Sequence, residues 1–320
     1  MRFLLIGGAG YVGSHCGRHL IARGHQVEVL DDLSTGHRAA AQGPLHHLDV
    51  RDTDAVTRVL QRGFDGVMHF AALALVGESS TQPLRYWDVN VGGTLSLLLA
   101  MRRAGCERLV FSSSAAVYGD AGDAPITESS ALRPVNPYGR TKLAAEQLIE
   151  DAGAEGLRAF RLRYFNAAGA APDGSLGEAH RHETHLIPLA LRAAADGGAL
   201  RVFGADYPTP DGSCVRDYVH VDDLARAHAL ALEALAAGHR GGALNLGTGA
   251  GASVLEVLRV AEAVSGAPIA RRSEARREGD PPSLVASPAR AALELGWSAR
   301  YTLEDAVRHA WAWHSAPRFP

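Results

Sequence analysis

Of the 32 lysine and arginine residues in this 320-residue chain, one is a lysine, and it stands four residues after a tyrosine in Tyr138-Gly-Arg-Thr-Lys142. A composition that uses arginine everywhere else singles out this ammonium. Lysine is a compact charge that fits between hydroxyl groups, whereas guanidinium is a broad planar fork. Residues four apart share one face of a helix. The cation is therefore placed to lower the phenol's pKa from about 10 towards neutrality, where a general base is effective. A lysine surviving on a solvated helix would look the same in isolation. The second chemical group is Arg108-Leu-Val-Phe-Ser-Ser-Ser114, an apolar run that ends in three serines upstream of Tyr138. Ser114 is expected to share or relay a proton with the tyrosine, and Ser112 and Ser113 to satisfy backbone groups at a strand end.

Those groups need a scaffold, and the first third of the chain supplies one. Phe3-Leu-Leu-Ile6 reads as a strand buried on both faces of a parallel sheet. It runs into Gly7-Gly-Ala-Gly10-Tyr-Val-Gly13, then a helix from Ser14 to about Arg23, then a second strand, Gln26 to Leu30, ending at Asp31. Glycines in this βαβ context allow a tight turn and close approach of a pyrophosphate, with the helix N-terminus supplying amide donors. Asp31 would accept the adenine-ribose hydroxyls and repel a 2′-phosphate, which favours NAD over NADP. Asp32 adds a second negative charge there, or is a plain solvated cap. An oxidised nicotinamide is itself a cation, and each nearby positive charge lowers a phenol's pKa.

Strand and helix patterns alternate to about Gly169, so the expected fold class is α/β, a Rossmann-type doubly wound parallel sheet with a smaller α/β substrate-binding lobe. Residues 1–170 form the NAD-binding domain and 171–320 the lobe, with part of about 215–245 returning to the first domain. The break is the Pro/Gly-rich stretch Ala170 to Gly177. Ala-rich stretches at 190–195 and 230–237 read as helices, and the charged run Arg271 to Arg277 as mostly solvated loop. Net charge is −3 and 47% of residues are apolar, so neither nucleic acid nor a membrane surface is an expected partner. No apolar run reaches membrane-spanning length. Cys16, Cys106 and Cys214 are far apart and in no ligand pattern, so they read as reduced thiols of a cytoplasmic protein and no metal is expected. Met1 to Ile6 has no small-residue cleavage site and reads as a strand rather than a signal segment.

The Gly-x-x-Gly-x-x-Gly spacing together with Tyr138-x-x-x-Lys142 resembles the extended short-chain dehydrogenase/reductase superfamily. Asp49-Val50, Gly66-Val-Met-His-Phe-Ala-Ala72 and Asn90 match further segments of that group, although His69 reads as a core histidine. The likeness tightens to the UDP-glucose 4-epimerase family over essentially the whole chain. It is carried by Gly8 to His15, Phe111 to Gly119, Arg163 to Asn166, Phe203 to Thr209, the specific block Asp211 to Val221, Asn245 to Gly249, and Arg277 to Asp280.

That resemblance implies interconversion of UDP-galactose and UDP-glucose, by oxidation at C4 with tightly held NAD, rotation of a 4-keto sugar and re-reduction. It makes Tyr138 the base, Ser114 the proton shuttle and Lys142 the electrostatic partner. Around the cofactor it puts these three with Gly7, Gly10, Tyr11, Val12, Gly13, Asp31, Asp32, Asp49, Val50, Phe70, Ala71, Ala72, Asn90 and Phe165. Around the UDP-hexose it puts Asn166, His185, Leu186, Arg216 and Arg277, with Phe203 under the uracil and Asp280 at the uridine ribose. Two departures from some relatives stand out, Ala74 in place of a lysine and His185 in place of an asparagine. The family also implies a homodimer through helices near 95–103 and 143–152. Ala115-Ala116 lacks the acidic pair that nucleotide-sugar 4,6-dehydratases carry after these serines, which argues against dehydration. Epimerisation of a UDP-N-acetylhexosamine or UDP-arabinose remains open, with Leu284 at the position that limits room at C2, as does a non-catalytic NAD sensor.

Overall fold

The computed structural model describes residues 1–120, 122, 125–277 and 280–319. Short apolar runs become strands: β1 (Arg2–Ile6), β2 (Gln26–Asp31), β3 (Leu45–His47), β4 (Gly66–His69), β5 (Arg108–Ser114), β6 (Arg158–Tyr164) and β7 (Asn166–Ala168). They are followed by β8 (Ala199–Phe203), β9 (Val215–His220), β10 (Gly241–Leu246), β11 (Gly251–Ser253), β12 (Ala270–Glu274) and β13 (Ser283–Leu284). The helices are α1 (Tyr11–Ala22), α2 (Thr53–Leu60), α3 (Val76–Thr81), α4 (Pro83–Tyr86), α5 (Gly93–Ala104) and α6 (Pro137–Asp151). After them come α7 (Leu186–Asp196), α8 (Val221–Ala236), α9 (Val254–Ser265), α10 (Ala289–Leu295) and α11 (Leu303–Ser315).

Seven strands form one sheet in the order β10-β6-β5-β4-β1-β2-β3, and every pairing in it is parallel. Alternation along β1 sends Phe3 and Leu5 to one face, where α1 and α8 bury them with Phe160, Leu232 and Leu244. Leu4 and Ile6 face the other way, into a core shared with Val56 of α2, Leu97 of α5 and Ile149 of α6. Helices on both faces make this a doubly wound Rossmann-type fold. The strand order reverses between β1 and β4, so the carboxyl ends of those strands open the crevice where such sheets bind ligands.

The chain leaves this sheet after Tyr164. β7 pairs with β9, which also carries β11 and β13, while β8 pairs with β12. Helices α7, α9 and α11 share a second core with Leu191, Leu258 and Val307 at its centre. Between these pieces the chain returns: α8 packs on α1, and β10 pairs with β6. The crossing thus begins at Asn166, and residues 221–246 belong with the large sheet. One expectation is corrected. Ala270–Glu274 is a strand, not solvated loop. All five of its residues are exposed, so backbone pairing with β8 makes the strand and no apolar periodicity announces it.

Leu244 on the returning strand is 0% exposed and Leu293 on α10 is 86% exposed. Leu244→Ala should therefore lose about 2–5 kcal/mol in urea unfolding, and Leu293→Ala no more than about 0.5 kcal/mol. Equal effects would contradict the placement of residues 241–246 in the main core.

Candidate active site

The turn after β1 is built around backbone proximity. Gly7 has φ +77° and lies so close to the loop after β4 that a Cβ there would sit 2.4 Å from the Ala71 amide nitrogen. A Cβ on Gly13 would sit 2.5 Å from the Gly7 carbonyl oxygen. Gly10 is different, since a Cβ would meet no protein atom nearer than 3.4 Å. Its openness faces outward at the start of α1, and no side chain caps that helix. The amides of Tyr11, Val12 and Gly13 are thus available to an anion such as a pyrophosphate. The Tyr11 hydroxyl donates to the Gly169 carbonyl at 2.5 Å, tying this turn to the chain crossing.

Asp31, at the end of β2, accepts from the amides of Ala9 at 3.0 Å and Leu33 at 2.8 Å. Burial pushes its carboxyl up and these two amides oppose it. Among the described residues Leu33 is the only non-glycine with positive φ, at 58°, which is sparsely populated backbone beside a binding crevice. Asp32 is exposed and accepts from the amide and hydroxyl of Ser34 at 2.9 and 2.6 Å. The donor set of this crevice suits a dinucleotide: amides for phosphates and a buried carboxylate for ribose, while Val12 and Phe70 pack on one core of the sheet and Ala71 on the other.

At the carboxyl edge of the sheet the serines divide their work. The Ser112 hydroxyl accepts from Tyr164 at 3.1 Å and lies 3.3 Å from His228 Nε2. Ser113 donates to Glu146. The Ser114 hydroxyl accepts from the Ala116 amide at 3.1 Å and stands beside Tyr138. Helix α6 starts at Pro137, with the Asn136 side chain accepting from the Gly139 amide at 2.8 Å. That start fixes Tyr138 and Lys142 one turn apart. Lys142 is 4% exposed; its ammonium donates to the Ser112 carbonyl at 2.8 Å and lies 4.9 Å from the centre of the Phe111 ring. Burial pulls its pKa down to about 8, against the pull of Glu146. Burial raises the Tyr138 phenol, and the Ser114 hydroxyl opposes. The ammonium is thus directed at the strand carbonyl, and it is Ser114 that acts on the phenol.

Asn90 lies in a π-helical turn, Trp87–Gly92, between α4 and α5; such turns recur at functional sites. Its amide donates to the Leu73 carbonyl and the Thr141 hydroxyl, both at 3.0 Å, and its carbonyl accepts from the Leu73 amide at 2.8 Å. Both donors are committed, so Asn90 clasps the loop after β4 to the helix of Tyr138 and Lys142. His69 is a neutral core histidine, its pKa lowered to about 3 by burial. Asp49 is bound to Arg51, Val50 packs on the α5 face, and Phe165 sits in a small core with Tyr118, Ala286 and the half-buried Leu284.

Across the crevice the lobe gathers four of the sequence-predicted residues. Arg216 on β9 ion-pairs with Asp280, and the guanidinium of Arg277 lies 4.1 Å from the centre of the Phe203 ring. Glu278 and Gly279 of that motif lie outside the described residues. Asn166 is exposed on β7 beside Tyr218. His185 precedes α7 with its Nδ1 turned to Glu178, and Leu186 opens the helix. Sequence reasoning missed Asp217. Its buried carboxylate accepts from the amides of Thr248, Gly249 and Ala286 at 2.8, 3.0 and 3.2 Å and so clamps the Asn245–Gly249 loop to β9. It also missed Glu146, whose signal was its place four residues after Lys142.

Comparison with known proteins adds an independent line. Residues 3–247 match the NAD dependent epimerase/dehydratase family. The chain is 47% identical to a UDP-glucose 4-epimerase of Lacticaseibacillus casei, over 98% of this chain and 97% of that protein. The crystal structure of UDP-glucose 4-epimerase from Brucella ovis in complex with NAD superposes with a TM-score of 0.95 at 47% identity, covering 97% of both chains. That of the Stenotrophomonas maltophila UDP-glucose-4-epimerase, with bound NAD and formylated UDP-arabinopyranose, gives 0.96 at 42% identity over 99% of this chain and 98% of that one.

Having one lysine, the chain should give one side-chain signal when labelled with [13Cε]lysine. Its NMR titration is expected to have a midpoint near 8, below the usual 10.5, as the buried ammonium is lost with rising pH. A midpoint at the free-lysine value would contradict the burial of this charge.

Proposed function

The chain belongs to the NAD dependent epimerase/dehydratase family and, within it, to the UDP-glucose 4-epimerases; from that premise we propose that it interconverts UDP-galactose and UDP-glucose. The observation that carries this reading is the meeting of Ser114, Tyr138 and the buried Lys142 at the sheet edge that also presents the Gly7–Gly13 turn. A bound NAD would supply the acceptor, and then the donor, of one hydride at C4. Tyr138 takes the proton of the sugar's 4-hydroxyl, with the Ser114 hydroxyl sharing it. Lys142, donating to the Ser112 carbonyl, orders the end of β5 that carries Ser114. The amides of Tyr11, Val12 and Gly13 would hold the cofactor's pyrophosphate, and Asp31 its adenine ribose. Arg216 and Arg277 bind the substrate diphosphate as forks, Phe203 supports the uracil, and Asp280 takes the uridine ribose. Held by its nucleotide, the 4-keto sugar turns about the bond to the diphosphate and is reduced on its other face, so C4 inverts with no net redox change.

The same reading gives a cytoplasmic homodimer. All three cysteines are free and buried, as suits a reducing compartment. Leu95 of α5 is 45% exposed, which supports pairing through α5 and α6. No described helix is long and apolar enough to cross a membrane. A second reading concerns the sugar. The Stenotrophomonas relative holds a formylated UDP-arabinopyranose, and Leu284, in register with Arg216 on the neighbouring strand, is the residue expected to set the size limit here.

Purified protein incubated with UDP-galactose and no added cofactor should form UDP-glucose to a fixed equilibrium ratio, followed by anomeric proton NMR. Tyr138→Phe should lower turnover by about 10²–10⁴-fold while leaving UDP affinity unchanged. Absence of UDP-glucose even after NAD is added, or wild-type turnover in the variant, would overturn the assignment.

A further inference from the structure

Away from the sheet edge, in the segment that crosses between the two halves, four side chains converge: Glu178, His180, Glu183 and His185. One ligand atom from each lies within 4.8 Å of the other three. The side chains of Glu178 and Glu183 are 3% and 2% exposed, and carboxylates are almost never that buried unless paired or bound to a metal. His180 Nδ1 is 3.1 Å from Glu178 Oε1 and 3.6 Å from Glu183 Oε2. His185 Nδ1 touches Glu178 Oε1 and lies 3.9 Å from Glu183 Oε1. His180 Nδ1 is buried and faces both carboxylates.

We propose that Glu178, His180, Glu183 and His185 form a closed, four-coordinate site for a divalent transition metal, with zinc the best fit. Tetrahedral zinc with bonds of about 2.0–2.1 Å sets neighbouring donors about 3.3 Å apart. The separations of 3.1, 3.6 and 3.9 Å, the last two to different oxygens of Glu183, bracket that value; the Glu178–His185 contact has to open, and the other donor pairs lie within 4.8 Å. Two imidazoles and two carboxylates suit zinc and its neighbours, whereas calcium and magnesium take oxygen donors. Neutral imidazoles with two carboxylates carry two negative charges, which a divalent cation cancels. The competing arrangement has no metal and two imidazolium ions facing the two carboxylates.

The site sits where it can order both halves. The Glu178 carbonyl accepts from Trp313 Nε1 at 2.9 Å, on the last helix of the lobe. The Ala179 carbonyl lies 2.7 Å from His37 Nε2, in the loop after β2. His185 directly precedes α7, so the metal would fix the start of the helix that offers Leu186 to the crevice. A metal on Nδ1 also leaves the His185 proton on Nε2, the nitrogen still able to donate to a phosphate. Metal binding and the expected substrate contact of His185 are therefore compatible.

The test uses untagged full-length protein, stripped with a chelator, dialysed and titrated with Zn²⁺ alone. About one tightly bound zinc per chain is expected by elemental analysis after gel filtration, with a higher Tm than the stripped protein. His180→Ala and Glu183→Gln should each lose at least about tenfold in zinc affinity; Glu183→Gln keeps the side-chain shape and guards against a mere folding defect. Substitution with Co²⁺ should give the strong visible absorption of a tetrahedral N/O site in the wild type and not in the variants. No retained zinc in the wild type, equal binding in both variants, or only weak octahedral Co²⁺ absorption would overturn the proposal and leave the imidazolium arrangement. Metal binding is read without turnover, so it stands or falls apart from the epimerase assignment.

Discussion

A single ammonium held out of water, that of Lys142, is the constraint around which the sheet edge is arranged. An isolated buried charge is strongly unfavourable unless polar groups surround it. Here the Ser112 carbonyl accepts from it, the Phe111 ring lies alongside, and Glu146 stands one turn further along the same helix. Glu146 in turn is bound by Arg163 of β6, the two side chains being 2% and 5% exposed. Arg163 donates to the Tyr118 hydroxyl at 2.9 Å, and Tyr118 donates to Asn245 of β10 at 2.6 Å. One network thus links β5, α6, β6 and β10. Removing one member would leave its partner buried and unpaired, which is far more destabilising than replacing the whole set by apolar groups. The network fixes where β5 ends and where α6 points, and with them Ser114 and Tyr138.

The lobe follows the same logic with a different centre. Asp217 is fully buried and is satisfied by three backbone amides and the Thr248 hydroxyl. It locks β9 against the loop that follows β10, so Arg216, its neighbour in sequence, is presented from a fixed strand. Strand alternation sends one of these residues inward and the other towards Asp280. The part of the chain that carries Arg216 and Asp280 meets the large sheet at the crossing segment and again at residues 221–246.

Much of this was legible in the residues. The glycine spacing after a short apolar strand locates the phosphate turn, and Gly7 and Gly13 are glycines because backbone lies within van der Waals reach. The Tyr138–Lys142 spacing puts the two one turn apart on α6, and the serine run marks the end of β5. What stayed hidden has physical causes. Asn90 serves loop and helix at once, a relation between segments 17 and 51 residues apart. β12 is a strand by backbone pairing alone. Lys142 is expected from its spacing to act on the phenol, but its reach is set by the Ser112 carbonyl, which only the folded sheet brings near. The Glu-x-His-x-x-Glu-x-His spacing of 178–185 carries no sign that both carboxylates are buried, which only the fold brings about.

The central claim is that C4 is oxidised and reduced by one retained hydride while Tyr138 handles only the hydroxyl proton. It is tested most directly by converting UDP-galactose deuterated at C4 in ordinary water and reading the product by NMR. The account predicts UDP-glucose with the deuterium still at C4. Loss of the label to solvent would mean that a carbon-bound proton is abstracted instead, and would contradict it.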